Sequence, residues 1–124
     1  MVKIDITYEG TLQCRMKHGP SGSMVATDAP KDNMGKGEAF SPTDLVASAL
    51  GSCILTTLGI VAARHHLKLD GARAEVTKEM STDPRRIARI TVTIQMPAGI
   101  PVGTLAIGQA GARAQPRDTP VRAK

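Results

Sequence analysis

The stretch SPTDLVASALGSCILTTLGIVAARHH, residues 41–66, decides the fold class. Ser41 can accept an N–H from the first helical turn, Pro42 suits the first helical position, and Asp44 completes a Ser-x-x-Asp capping box at the positive end of the helix dipole. Leu45 to Ala63 carries no charge, and Arg64, His65 and His66 supply the basic groups that suit a helix C-terminus. Asp70-Gly71 is the expected stop. Nineteen uncharged residues could span a bilayer. However, Ser48, Gly51, Ser52, Thr56, Thr57 and Gly59 dilute the apolar content, and the alternating segments before and after have apolar faces that need a cover. The expectation is the buried central helix of a soluble domain.

Upstream, Val2, Ile4, Ile6 and Tyr8 alternate with Lys3, Asp5, Thr7 and Glu9, the pattern of a half-buried strand. Gly10 breaks the run, and Leu12, Cys14 and Met16 alternate with Gln13, Arg15 and Lys17, which predicts an N-terminal hairpin. His18 to Gly22 is turn chemistry, Met24 to Thr27 a third short strand, and Asp28 to Phe40 an exposed polar loop. Downstream, Ala72, Ala74, Val76 and Met80 alternate imperfectly. Ser81-Thr82-Asp83-Pro84 marks a turn, and Ile90, Val92, Ile94 and Met96 alternate cleanly with Arg89, Thr91, Thr93 and Gln95. Strands, one long helix, then strands is an α+β order of antiparallel hairpins around a central helix. Residues 98–124 hold no period and are rich in Ala, Gly, Pro and Arg, the composition of a poorly ordered tail after a domain spanning residues 1–97.

The composition narrows the function. The chain has 124 residues, enough for one domain, and only 2% aromatics, so Leu, Ile, Val, Met and Ala must build the core. A core so thin often leans on a partner subunit. The net charge is +5, but residues 1–101 hold 12 Lys and Arg against 10 Asp and Glu, and the remaining excess lies in the tail. With so few rings for base stacking, nucleic-acid binding is not expected. The start shows no basic segment leading into an apolar one, so the expected compartment is the cytoplasm. Cys14 and Cys53 have neither the number for a disulfide framework nor the spacing of a zinc site, so reduced thiols, no metal and no cofactor are expected.

Ser41 to Cys53 resembles the central-helix motif of the OsmC and Ohr family, supported by the Asp83-Pro84-Arg85-Arg86-Ile87 turn and the Gly35-Lys36-Gly37-Glu38 approach to the helix. The resemblance covers roughly residues 1–97. It implies an α+β fold in which two chains intertwine as a homodimer with active sites at the subunit interface. It also implies a thiol peroxidase: Cys53 attacks an organic hydroperoxide, becomes a sulfenic acid, and is captured by a second cysteine or returned by a thiol reductant. The attacking species is a thiolate, which needs a nearby cation. Cys53 lies three turns into the helix, beyond useful reach of its N-terminal dipole. In the family an arginine from the N-terminal hairpin, held by a glutamate early in the helix, serves this purpose. Here Thr43, beside Asp44, occupies the glutamate position. The arginine position falls near Pro20, so Arg15 becomes the candidate activator, with Lys17 nearby. The family's resolving cysteine, in a Cys-Pro-Val motif on a later helix, has no counterpart after Cys53, and Val102 to Lys124 resembles no part of that segment.

Plain structural roles compete with each of these. A cysteine in an apolar helix is commonly a small buried hydrophobe, and Cys14, alternating with Leu12 and Met16, reads as core. His65 and His66 suit the helix terminus, His18 a solvated turn, and Asp70 and Asp83 turn positions. The expected function is reduction of organic hydroperoxides through Cys53 with Arg15. The alternative is a non-catalytic homodimer holding an apolar ligand at the helix interface, or an inactive fragment without the resolving thiol.

Overall fold

The computed structural model describes residues 1–100 and divides the chain into two compact units, one from Met1 to Val46 and one from Ala47 onward. The expected tail over 98–124 lies almost wholly outside the described residues. The architecture is α+β, with two antiparallel sheets and one central helix.

The first unit is a three-stranded sheet in the order β1 (Ile4–Gly10), β2 (Gln13–His18), β3 (Met24–Asp28). The register sets Ile6 beside Met16 and Met16 beside Val25, and likewise Tyr8, Cys14 and Thr27, so the apolar residues share one face as their alternation requires. That face is not half-buried as the sequence predicts: Ile6 is 64% and Tyr8 62% exposed.

The segment after β3 departs from the expected exposed loop at its first residue. Asp28 is 1% exposed, its backbone N–H donates to the Phe40 carbonyl at 3.1 Å, and its Oδ2 accepts the Glu38 N–H at 3.0 Å. A short 3₁₀ turn, Lys31–Asn33, follows, and Gly35 then folds back so closely that a Cβ would sit 1.8 Å from the Ala29 carbonyl oxygen. Only glycine fits that approach.

Helix α1 spans Pro42–Arg64. The capping box is reciprocal: the Asp44 N–H donates to Ser41 Oγ at 3.1 Å, and the Ser41 N–H donates to Asp44 Oδ2 at 2.9 Å. Ser41→Ala should cost about 1 kcal/mol, as loss of a cap typically does, read as a lowered urea midpoint. The helix stops earlier than Asp70-Gly71. His66 takes a left-handed conformation (φ 55°) while the Leu67 N–H reaches the Ala62 carbonyl at 2.9 Å and the His66 N–H that of Ala63 at 3.1 Å, a Schellman closure.

In the second unit, β4 (Arg73–Ser81) and β5 (Arg86–Gln95) form a hairpin around a cis Asp83–Pro84 bond. Ala74, Val76, Lys78 and Met80 make the inward row of β4, paired with Ile94, Val92, Ile90 and Ile87, so the irregular alternation of β4 is Lys78 standing among apolar neighbours. Val92, Ile94 and Met96 bury against Ile54, Leu58 and Ala62. Gly51 closes the approach, since a Cβ there would meet Val76 Cγ2 at 2.7 Å. The helix is therefore buried along one stripe, Ala47, Gly51, Ile54, Leu58 and Ala62, and not all round as its composition predicts.

Candidate functional site

Cys53 sits on the side of α1 turned away from that stripe, and its thiol is exposed and free. A rise of about 1.5 Å per residue sets it roughly 18 Å along the axis from Ser41, past the first turn in which the helix dipole is felt. Its neighbours on the exposed surface are Ala49, one turn before, and Thr56, one turn after. The charged residues of α1 are Asp44 in the first turn and Arg64 in the last, so the helix brings no cation near the thiol.

Arg15 stands on the polar face of the first unit's sheet, where its Nε donates to Glu9 Oε1 at 3.2 Å. It is thus an arginine held by a glutamate, though the glutamate comes from β1 and not from the helix. Lys17 follows two residues on along the same row. Cys14 lies on the opposite face between Tyr8 and Thr27, half-buried and free, in keeping with its alternation. Arg15 and Cys14 belong to the first unit and Cys53 to the second.

His18 closes the β2–β3 turn, with its Nδ1 2.6 Å from Ser21 Oγ and accepting the Ser21 N–H at 3.3 Å, so it organises the turn at a partly exposed position. His65 and His66 complete the helix end, and among the described residues no three His, Cys, Asp or Glu side chains converge on a point that could hold a metal ion.

Ser48, Gly51, Ser52, Leu55 and Thr56 form with Ala74 and Val76 an open groove of about 490 Å³ along the flank of α1. Its trace in the sequence is the spacing of the three hydroxyls at i, i+4 and i+8, which puts them on one line of a helix. Cys53 is not among the lining residues.

Comparison with known proteins places the site in context. The OsmC-like protein family matches residues 35–103, which include Cys53 and the whole of α1. A crystal structure from Psychrobacter arcticus 273-4, of a candidate osmotic stress induced and detoxification response protein, is similar with a TM-score of 0.80 and 44% identity, over 84% of this chain and 76% of that chain. None of the curated proteins compared with the chain matches it.

Proposed function

The chain belongs to the OsmC-like protein family, and from that premise we propose that it reduces organic hydroperoxides through Cys53 as a homodimer. The observation that carries this reading is an exposed, free thiol halfway along the central helix, inside the segment that matches the family. The Cys53 thiolate attacks the terminal oxygen of the hydroperoxide. An S–O bond forms, the O–O bond breaks, sulfur is oxidised by two electrons, and the alkoxide leaves to take up a proton as the alcohol. Two equivalents of a low-molecular-weight thiol return the sulfenic acid to the thiol, releasing water and a disulfide. A thiol reductant suits this chain because Cys14 is the single other cysteine and sits partly buried between Tyr8 and Thr27 on the N-terminal sheet. Arg15 is the proposed source of positive charge for the thiolate and the departing oxygen.

The homodimer is supported by apolar surface that one chain leaves open: Ile4, Ile6 and Tyr8 on the sheet face, and Val46 and Ile60 on the helix. By length and composition α1 could also cross a bilayer, but a protein surface is the cover that fits a family member. The groove beside Ser48, Ser52 and Thr56 favours a second reading, a homodimer that binds an apolar ligand without chemistry.

Titrating the purified protein with cumene hydroperoxide, following thiol loss by mass spectrometry, separates the two. Rapid stoichiometric oxidation at Cys53, reversed by a small thiol, is the expected result. Slow oxidation shared by both cysteines would leave the ligand-binding reading.

A further inference from the structure

The turn between β2 and β3 holds more polar groups than a turn needs. Its backbone is already closed: the His18 N–H donates to the Ser23 carbonyl at 2.9 Å, the Gly22 N–H to the His18 carbonyl at 2.8 Å, and the Gly19 N–H to the Lys3 carbonyl at 2.8 Å. Pro20 fixes one backbone angle, and Gly22 takes the left-handed conformation (φ 73°). On this rigid frame stand three side chains that the backbone does not require, His18, Ser21 and Ser23, and they meet one another.

Their hydrogen bonds assign the roles. The Ser21 N–H donates to His18 Nδ1 at 3.3 Å. A backbone amide can only donate, so Nδ1 offers a lone pair and the ring proton is on Nε2. Ser21 Oγ lies 2.6 Å from that lone pair, so the ring can take its hydroxyl proton. The same oxygen accepts the Ser23 N–H at 3.2 Å and lies 3.0 Å from Ser23 Oγ. A base on one side and a backbone dipole on the other are what activate a hydroxyl nucleophile. His18 is partly exposed and Ser21 and Ser23 are exposed, so a reagent can reach the oxygen.

We propose that Ser21 is a second nucleophile of this chain, activated by His18, and that it accepts the acyl group of small activated carboxylic esters. Ser21 Oγ attacks the ester carbonyl carbon, a C–O bond forms, and the hydroxyl proton passes to His18 Nδ1. The Ser23 hydroxyl donates to the oxyanion that results. The bond to the leaving oxygen then breaks, and His18 returns the proton to that oxygen. Water, deprotonated by the same ring, releases the acyl group as a carboxylic acid and restores Ser21. The substrate class follows from the setting, because an exposed turn grips little of a long acyl chain and its one base gives limited help to a poor leaving group. The proposal stands apart from Cys53 and from the peroxidase reading.

The test is p-nitrophenyl acetate on the full-length chain carrying Cys14→Ser and Cys53→Ser, so that no thiol competes for the acetyl group. The expected result is a burst of p-nitrophenolate approaching stoichiometry with the chain, and an acetyl group that tandem mass spectrometry maps to Ser21. Ser21→Ala should abolish the burst. His18→Asn separates a base from a scaffold, since the Asn amide oxygen can replace Nδ1 as the acceptor in the turn but does not take up a proton at neutral pH. It should slow acetylation at least about a hundredfold, the low end for a general base. Ser23→Ala should slow it about tenfold, the scale of one lost donor to a charged oxygen.

Acetyl groups confined to lysines and the amino terminus overturn the proposal, and so does a His18→Asn chain that reacts as fast as its parent. The mapping needs neither turn variant, so it decides even where one of them folds poorly. A negative result here leaves hydroperoxide reduction by Cys53 as it stands, and a thiol that fails with hydroperoxide leaves Ser21 acetylation intact.

Discussion

Cys53→Ser is expected to lower the rate of hydroperoxide consumption by at least about a hundredfold, down to the background of Cys14 and of added thiol, while Cys14→Ser keeps nearly all of it. The difference follows from where the thiols sit. Cys53 is exposed on α1, on the side away from the core stripe, so a hydroperoxide can approach its sulfur. Cys14 is partly buried between Tyr8 and Thr27 on its sheet. Serine preserves the size of the side chain, but at neutral pH a hydroxyl is too weak a nucleophile to break an O–O bond. Stopped-flow consumption of cumene hydroperoxide, with intact-mass spectra at each time point, checks both variants together. Equal loss in the two variants would remove Cys53 from its role.

The largest stability effect should come from Leu58→Ala. Leu58 is 2% exposed and lies in the middle of the buried stripe, in the cluster of Ile54, Ala62, Val92 and Ile94. Truncation removes the burial of three carbons and leaves a void that one helix on a two-stranded hairpin closes poorly. The expected cost is about 2–5 kcal/mol, which is a large share of what a domain this size possesses. Urea denaturation followed by circular dichroism should show the midpoint falling with the slope unchanged. Ile60→Ala, two residues on, offers the contrast, because Ile60 is 52% exposed. If the monomer alone mattered it would cost little. In the proposed homodimer, where Ile60 belongs to the apolar surface one chain leaves open, it should weaken the dimer and make the midpoint depend on protein concentration.

Much of the local structure could be read directly from the residues. The hairpin of β1 and β2 and the hairpin of β4 and β5 follow from alternation, and Ser41, Pro42 and Asp44 mark the start of α1, because strand period and capping are properties of a few neighbouring residues. The readings that failed depended on backbone pairings that no residue pattern marks. Asp28 looked like the first residue of a solvated loop, yet it is buried because Glu38 and Phe40 return to bond it. His66, with no glycine nearby in sequence, ends α1 in a left-handed conformation because the Ala62 and Ala63 carbonyls are satisfied by the turn that follows. Of the candidate site, Cys53 was legible through the motif around it. The pairing of Arg15 with Glu9 was not, since it needs the register of β1 against β2.

The sequence by itself determined that one helix, starting at Pro42 and uncharged from Leu45 to Ala63, lies between two sets of strands with Cys53 midway along it. With apolar and small residues on every side, the helix has almost no amphipathic bias, so no pattern in the sequence says which stripe turns inward. The tertiary structure decides that by fit. Gly51 admits Val76 where any side chain would collide, and Ile54, Leu58 and Ala62 then follow it onto Val92, Ile94 and Met96. Cys53 faces outward as the geometric remainder of that choice, because a residue two positions beyond Gly51 on a helix points about 200° away from it.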